Sequence, residues 1–223
     1  MNGLHMLGRD IKAVIFDLDG VIVSTDEFHY LAWKRIADEN GIYFDREINH
    51  RLRGVSRAES LEIILERAER KFAERERLDM AERKNGLYRE MIKTLTPKDR
   101  LDGVDGILSF LKEREVKTAI GSSSKNARDI LGYIGLSDAF DAIADGHDIR
   151  RTKPDPEVFL IAAERLGVEP RECLVVEDAR AGVEAAINAG MAVIGIGTGG
   201  FDYGFYRHAG SVGELYGFLS EAR

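Results

Sequence analysis

From Pro97 onward the chain repeats one pattern: a short apolar run rich in β-branched residues, then a stretch with helical spacing. The runs are "VKTAIGSSS", "FDAIAD", "ECLVVED" and "AVIGIGTGG". The helical stretches are Gly106 to Glu115, Asn126 to Gly135, Pro156 to Leu166 and Ala181 to Gly190. Short continuous apolar runs bounded by turn residues are strands buried on both faces, and strands alternating with helices make a parallel sheet. Right-handed crossovers then bring the carboxyl ends of all the strands to one edge, where sites form.

The first strand lies upstream, at Lys12 to Asp17 ("VIFD"), and the segment after it breaks the alternation. "DEFHYLAWKRIADENG" spaces Phe28, Leu31, Ala32, Ile36 and Ala37 as a helix and stops at Gly41. "SRAESLEIILERAERKFAERE" predicts a second helix, with Ser56 as cap and Glu59 completing a capping box. "DMAERKNGLYREMIKTL" predicts a third, in spite of Gly86. No strand signal appears before about Leu95, too long a stretch for a crossover. The expected architecture is therefore an α/β core with a Rossmann-like parallel sheet, residues 1–24 and 97–223, carrying an inserted helical domain at 25–96. The opening "MNGLHMLGRD" reads as a frayed start without the apolar stretch of a secretory signal.

Composition narrows the partners. With 44% hydrophobic residues in 223, the chain has enough to pack such a core. A net charge of -7 disfavours nucleic acid or an anionic membrane, since both need a basic face. No stretch has the length of a membrane span. The single cysteine, Cys173 in "CLVVED", excludes an intrachain disulfide and reads as a small buried hydrophobe. A cytoplasmic location and a monomer are the expectation.

The strand ends carry the chemistry. Asp17 and Asp19 follow the first strand, Ser122 to Asn126 the second, Lys153 the third and its loop, Glu177 and Asp178 the fourth. Singly these are ordinary: a strand-terminal Asp caps helices, a serine loop is a turn, a lysine before proline is surface. Together they put four carboxylates, a lysine and a hydroxyl-rich loop on one edge. Carboxylates crowded in a cleft repel one another, so some are protonated or a cation sits among them. Oxygen ligands without His or Cys point to a hard ion, and Mg2+ fits best. Lys153 then calls for an anionic substrate, and Ser122 with the loop amides at a helix N-terminus suits phosphate. Metal, lysine, hydroxyl and a free carboxylate are the parts that phosphoryl transfer requires.

"DLDGV", Ser122, the "KP" of Lys153–Pro154 and "EDARAG" resemble the four motifs of the haloacid dehalogenase (HAD) superfamily, in order and over nearly the whole chain. The resemblance implies that Asp17 is a nucleophile forming an aspartyl-phosphate. It makes Asp19 the general acid/base, with its main-chain carbonyl on the metal. Glu177 and Asp178 would hold Mg2+ with Asp17, Ser122 and Lys153 would bind the phosphoryl group, and Lys153–Pro154 would be cis. The insert would be a mobile cap of the four-helix type. Asp19 argues against the haloalkanoate branch, which lacks the second Asp.

"FDLDGVIVSTDEFHYLAWKRIADENGI", "LRGVSRAESLEIIL", "RKNGLYREMI", "SSKN" and "FDAIAD" are similar, more narrowly, to the β-phosphoglucomutase branch. That likeness implies a sugar-phosphate substrate, β-D-glucose 1-phosphate converted to glucose 6-phosphate, with β-glucose 1,6-bisphosphate as intermediate and primer. In the cap, Arg53, Gly54, Val55, Ser56 and Arg57 form a tight turn whose Arg57 would take the phosphate that is not transferred. Ser60 and Lys84 would line the sugar pocket. His29 would support the acid/base, Trp33 would pack beside the pocket, and Thr25 would be a hinge bonding Asp19. Ser124, Lys125 and Asn126 match the phosphate-contacting loop, and Ser123 stands where a smaller Ala is usual. "GTGGFDYGFYRHAGS" has no such reading. Two alternatives share the same residues: a sugar-phosphate phosphatase, and a binding protein that retains the fold without turnover.

Overall fold

A computed structural model describes residues 4–6, 9–197 and 206–221. Part of the segment expected to be frayed is ordered: β1 (Leu4–Met6) pairs antiparallel with β2 (Arg9–Ile11), Leu4 and Ile11 are buried, and residues 1–3 and 7–8 lie outside the described residues. A few apolar residues among polar ones carry too weak a period for a sequence to announce so short a pair. Then come β3 (Ala13–Phe16) and four consecutive helices, α1 (Asp26–Glu39), α2 (Arg46–His50), α3 (Arg57–Leu65) and α4 (Glu74–Ile92). The alternating part comes next: α5 (Val104–Glu113), β4 (Lys117–Gly121), α6 (Ala127–Tyr133), β5 (Ala142–Ala144), α7 (Glu157–Leu166), β6 (Cys173–Glu177), α8 (Arg180–Asn188), β7 (Ala192–Ile196), β8 (Tyr206–Ala209) and α9 (Val212–Glu221).

The main sheet is parallel throughout, in the order β5-β4-β3-β6-β7-β8. β3 lies between β4 and β6, with Ala13 level with both Lys117 and Cys173. Strand order reverses between β3 and β6, so their carboxyl ends open a crevice there. Pleating divides the core. Val14 and Phe16 of β3, with Leu174 and Val176 of β6, pack under one helix layer. Ala13 and Ile15, with Cys173 and Val175, pack under the other. Cys173 is the buried hydrophobe expected of it; burial pushes its thiol up to about 12.

The four-helix segment has its own apolar centre, built from Trp33, Ile36, Phe44, Leu61, Ile64, Phe72 and Met80 among others. Tyr88, Ile92 and Ala32 join it to the core below. The capping box at Ser56 is present: Ser56 Oγ accepts from the Glu59 amide, and Glu59 accepts from the Ser56 amide at 2.9 Å. The helix it starts ends at Leu65, however, and not near Glu76. Phe72 turns into the cap's apolar centre, and Glu76 then caps a new start by accepting from the Ala73 amide at 2.7 Å. A single tertiary anchor outweighs a run of good helix formers. The short α2, capped by Asp45 on the Ile48 amide, is a further helix that the sequence pattern does not announce.

At the C-terminus, residues 198–205 of "GTGGFDYGFYRHAGS" lie outside the described residues, as does the end of the strand expected at "AVIGIGTGG". The rest of that segment supplies the edge strand β8, and α9 packs against α5 through Val212, Leu215 and Leu219. Among the described residues no helix is long and apolar enough to cross a membrane.

Candidate active site

One cleft of about 630 Å3 opens at the carboxyl ends of β3, β4 and β6, beneath the four helices. Its lining includes every residue singled out from the sequence except Thr25, which is buried directly behind Asp19. The core contributes Asp17, Asp19, Ser122, Ser123, Ser124, Lys125, Asn126, Lys153, Glu177 and Asp178. The helical segment contributes His29, Trp33, Arg53, Gly54, Val55, Ser56, Arg57, Ser60 and Lys84.

On the cleft floor the Lys153 ammonium donates to Asp17 Oδ1 at 2.6 Å and to Glu177 Oε2 at 2.7 Å. Lys153 and Glu177 are almost completely buried. Burial alone would lower the Lys153 pKa, but the two carboxylates hold it above its ordinary value. The Lys153–Pro154 peptide is cis. Glu177 Oε1 accepts from the Asp178 and Ala179 amides at 3.1 and 3.0 Å, so both of its oxygens have donors. Gly182 makes this geometry possible, since a Cβ there would lie 1.9 Å from Glu177 Oε2.

Among the described residues neither Asp17 Oδ2 nor the Asp178 carboxylate has such a donor. Oxygens of Asp17, Glu177 and Asp178 lie within 4.8 Å of one another. Burial first, then the charge of Glu177, pushes both Asp17 and Asp178 well above the usual carboxylate range. A buried Asp17 and a half-buried Asp178, both with raised proton affinity, are a cradle for a hard cation, and all the ligands are oxygens. Gly20, at φ +84, keeps the cradle open: its Cβ would fall 2.2 Å from Asp178 Oδ2.

Asp19 is held apart from this group. The Thr25 amide donates to its Oδ1 at 2.6 Å and the Thr25 hydroxyl to its Oδ2 at 2.7 Å. With the Thr25 proton so used, Tyr88 donates to Thr25 Oγ1 at 2.9 Å. Burial raises the Asp19 pKa against these hydrogen bonds. His29 Nε2 lies 3.8 Å from Asp19 Oδ2, and its Nδ1 is 2.7 Å from the Lys84 ammonium. A charged lysine only donates, so the His29 proton then sits on Nε2. Burial, then Lys84 and Arg57, lowers the His29 pKa well below 6.5, leaving a neutral ring at neutral pH. Tyr88 and Thr25 thus tie the cap's fourth helix to the acid at the strand end. The sequence signal for Tyr88 is its place four residues after Lys84, on the same helix face.

The opposite wall is cationic. Lys84 is buried, with no carboxylate in ion-pair contact among the described residues; it lies over the Trp33 and Tyr88 rings at 5.2 and 4.6 Å. Burial, then repulsion from Arg57, drops its pKa to about 7. Arg57 likewise has no carboxylate partner among them, and burial lowers its pKa too. Arg53 differs: it donates to Asp26 Oδ2 at 2.9 Å, while Asn49 donates to Asp26 Oδ1 at 3.2 Å. A buried lysine and a half-buried arginine without carboxylates in contact mark a place where an anion belongs. Ser122 Oγ accepts from the Ser124 amide at 3.2 Å, and Ser123 Oγ is buried with no hydrogen-bond partner.

The helices lie closed over the floor. Asn126 donates to Asn85 Oδ1 at 3.2 Å, Thr152 to Glu59 Oε2 at 3.3 Å, and a Cβ on Gly54 would meet Ala179 at 3.3 Å. Asn85, Asn49, Asp26, Glu59 and Thr152 join the site without a sequence signal for such a role; their importance lies in partners remote in sequence.

Comparison with known proteins agrees with this arrangement. The model of a family described as haloacid dehalogenase-like hydrolase matches residues 11–190. The beta-phosphoglucomutase of Bacillus subtilis is 48% identical over 191 residues, 85% of this chain and 84% of that protein. A phosphorylated carbohydrates phosphatase of Thermotoga maritima is 34% identical over 184 residues, 81% of this chain and 82% of that one. The crystal structure of beta-phosphoglucomutase from Clostridium difficile superimposes with a TM-score of 0.86 at 40% identity, covering 95% of this chain and 96% of the other.

Proposed function

The chain belongs to the haloacid dehalogenase-like hydrolase family, and from that premise we propose that it interconverts β-D-glucose 1-phosphate and D-glucose 6-phosphate. The route is through β-glucose 1,6-bisphosphate and an aspartyl-phosphate on Asp17. The observation that carries this reading is the two-ended cleft. Lys153, Ser122 and the acid cradle stand at one end, and Arg57 and Lys84, with no carboxylate in ion-pair contact among the described residues, at the other. A hydrolase for a monophosphate needs one anion site; a bisphosphate intermediate needs two. The 48% identity to the B. subtilis mutase supports the same choice.

Lys153 fixes Asp17 through Oδ1 and leaves Oδ2 as the nucleophile. Mg2+ would be held by Asp17, Glu177 and Asp178 with the Asp19 main-chain carbonyl, and would supply positive charge to ionise Asp17 and to neutralise the transferring group. In the forward direction the sugar's 6-hydroxyl attacks the phosphorus of the aspartyl-phosphate. Asp19 accepts the hydroxyl proton as the bond to Asp17 Oδ2 breaks. The bisphosphate then reorients, exchanging its phosphates between the two ends. Asp17 Oδ2 attacks the phosphate on C1, and Asp19 returns its proton to the departing O1. Thr25 holds Asp19 for both proton transfers, and neutral His29 does not compete for the proton. Ser122 and the amides of its loop bind the transferring phosphoryl oxygens, while Arg57, Lys125 and Asn126 bind the resting phosphate, and Ser60 and Lys84 face the sugar. Residues 25–96 act as the cap that closes on the rest of the chain, as a monomer in a reducing cytosol.

The phosphatase reading remains the second one, favoured by the 34% identity to the T. maritima phosphatase. Purified protein supplied with β-glucose 1-phosphate, Mg2+ and a trace of β-glucose 1,6-bisphosphate separates them. Glucose 6-phosphate forming much faster than free phosphate supports the mutase. Free phosphate as the main product sinks it.

A further inference from the structure

The phosphate-contacting loop Ser122–Asn126 does not stand alone. The turn after β5, "DGHD" at Asp145–Asp148, is pressed against it from below. The Gly146 amide donates to Ser124 O at 3.1 Å, and His147 Nε2 lies 3.0 Å from Lys125 O. A carbonyl only accepts, so the His147 proton is on Nε2 and the ring donates. The fit at Gly146 is tight. A Cβ there would fall 2.5 Å from Ser123 O, 2.8 Å from the Lys125 amide and 2.9 Å from Lys125 Cγ. Gly146 has none of the positive φ that marks eight other glycines of the described chain, so glycine is needed here for space alone. The turn itself is rigid. Fully buried Asp145 accepts from Arg128 Nε at 2.7 Å and from the His147 amide at 2.9 Å, and Asp148 accepts from the Asp145 amide at 2.9 Å. Arg165 grips Asp148 through both of its terminal nitrogens, at 2.7 and 2.6 Å.

We propose that Gly146 and His147 are positioning residues for the second phosphate subsite: together they set the height and direction of Lys125. Among the described residues no hydrogen bond or ion pair joins this turn to Asp17, Lys153, Glu177 or Asp178. Toward the loop it bonds Ser124 and Lys125, and a Cβ on Gly146 would collide with Ser123 O and with Lys125. Within the turn the His147 side chain bonds only the Lys125 carbonyl of the loop, so its loss loosens the hold on a second phosphate and leaves phosphoryl transfer to Asp17 intact. The ligand class is a sugar bisphosphate, or a monophosphate binding by its non-transferring end. This inference rests on the two-site reading of the cleft.

The test compares native protein with His147→Ala, His147→Gln and Gly146→Ala, using two probes. β-Glucose 1,6-bisphosphate occupies both ends; acetyl phosphate offers one phosphate and reports the Asp17 chemistry alone. Loss of one hydrogen bond to a loop carbonyl predicts a rise of about fivefold in KM for the bisphosphate in His147→Ala. Gln places a donor where Nε2 was and should restore the native KM. Gly146→Ala, which must displace Ser123 and Lys125, should exceed the histidine effect. Acetyl phosphate hydrolysis should stay within twofold of native in both histidine variants. Equal bisphosphate KM in native and His147→Ala overturns the proposal. So does a parallel loss with both probes, since that is the result that general loosening of the fold produces. The mutase reading fails separately, in the product: native protein releasing mainly free phosphate refutes that reading whatever the variants do to KM.

Discussion

Replacing Lys84 with methionine should make the protein more stable and less active. Lys84 is buried, and its ammonium is matched by two aromatic faces and a histidine nitrogen, with no carboxylate in ion-pair contact among the described residues. Its folded pKa lies at about 7, against 10.5 when exposed. A tenfold change in proton affinity corresponds to about 1.4 kcal/mol, so burying the charged form costs roughly 4–5 kcal/mol at or below pH 7. Between the folded and unfolded pKa values the unfolded chain binds more protons, so stability rises with pH across that window. Integrated from pH 7 to 9, the gain assigned to Lys84 is about 2 kcal/mol. Methionine keeps the stem, loses the charge and its aromatic contacts, and has no such slope. Urea unfolding of native and Lys84→Met protein at several pH values between 7 and 9 measures it. The variant should be more stable at pH 7 by a few kcal/mol, with the advantage shrinking by about 2 kcal/mol at pH 9. Its kcat/KM for β-glucose 1-phosphate should fall at least tenfold, from loss of the cation facing the substrate. A stability difference that does not change with pH refutes the reasoning, because the unpaired charge would then cost nothing.

Asp19→Ala should lower kcat by about 10²–10⁴ while leaving substrate binding nearly unchanged, as expected for loss of proton transfer; steady-state kinetics with β-glucose 1-phosphate would show it. In metal-free buffer, stability should fall as pH rises above 4. Asp17 and Asp178 have folded pKa values raised above 3.8, so the folded state holds protons that the unfolded chain has lost. Saturating Mg2+ should flatten that fall in thermal melts, and a fall of the same steepness with and without Mg2+ counts against the acid cradle. Gly182→Ala should cost several kcal/mol or abolish folding, because its Cβ and Glu177 Oε2 cannot both occupy their places; a melting temperature within a degree or two of native would contradict it.

The acids of the candidate site are legible because each follows a strand whose own composition marks it. "VIFD" and "LVVED" are buried strands by local rule, and the parallel topology then brings their ends together. The Ser56 capping box is equally legible, since both partners lie within one helical turn. The family motifs carry over residue by residue onto one cleft. The end of α3 is not legible: nothing in "ERAERKFAERE" signals that Phe72 has a pocket to fill. The β1–β2 hairpin and α9 escape a sequence reading for a similar reason, as each is stabilised by packing on the remainder of the core.

The chemistry and its scaffold are determined by the sequence itself. The alternating runs dictate a parallel sheet, and the strand ends dictate acids, a lysine and a hydroxyl loop at one edge. These follow from local periodicity and from rules of chain connection. Only the tertiary structure decides the state of each group. Glu177 is fully supplied with donors while Asp17 and Asp178 are not. Arg53 is ion-paired with Asp26, while among the described residues no carboxylate is in ion-pair contact with Arg57 or Lys84. Gly146 lies so near Ser123 that no side chain fits. Charge, protonation and clearance depend on neighbours brought from far along the chain, and a residue's type and position in the sequence do not name those neighbours.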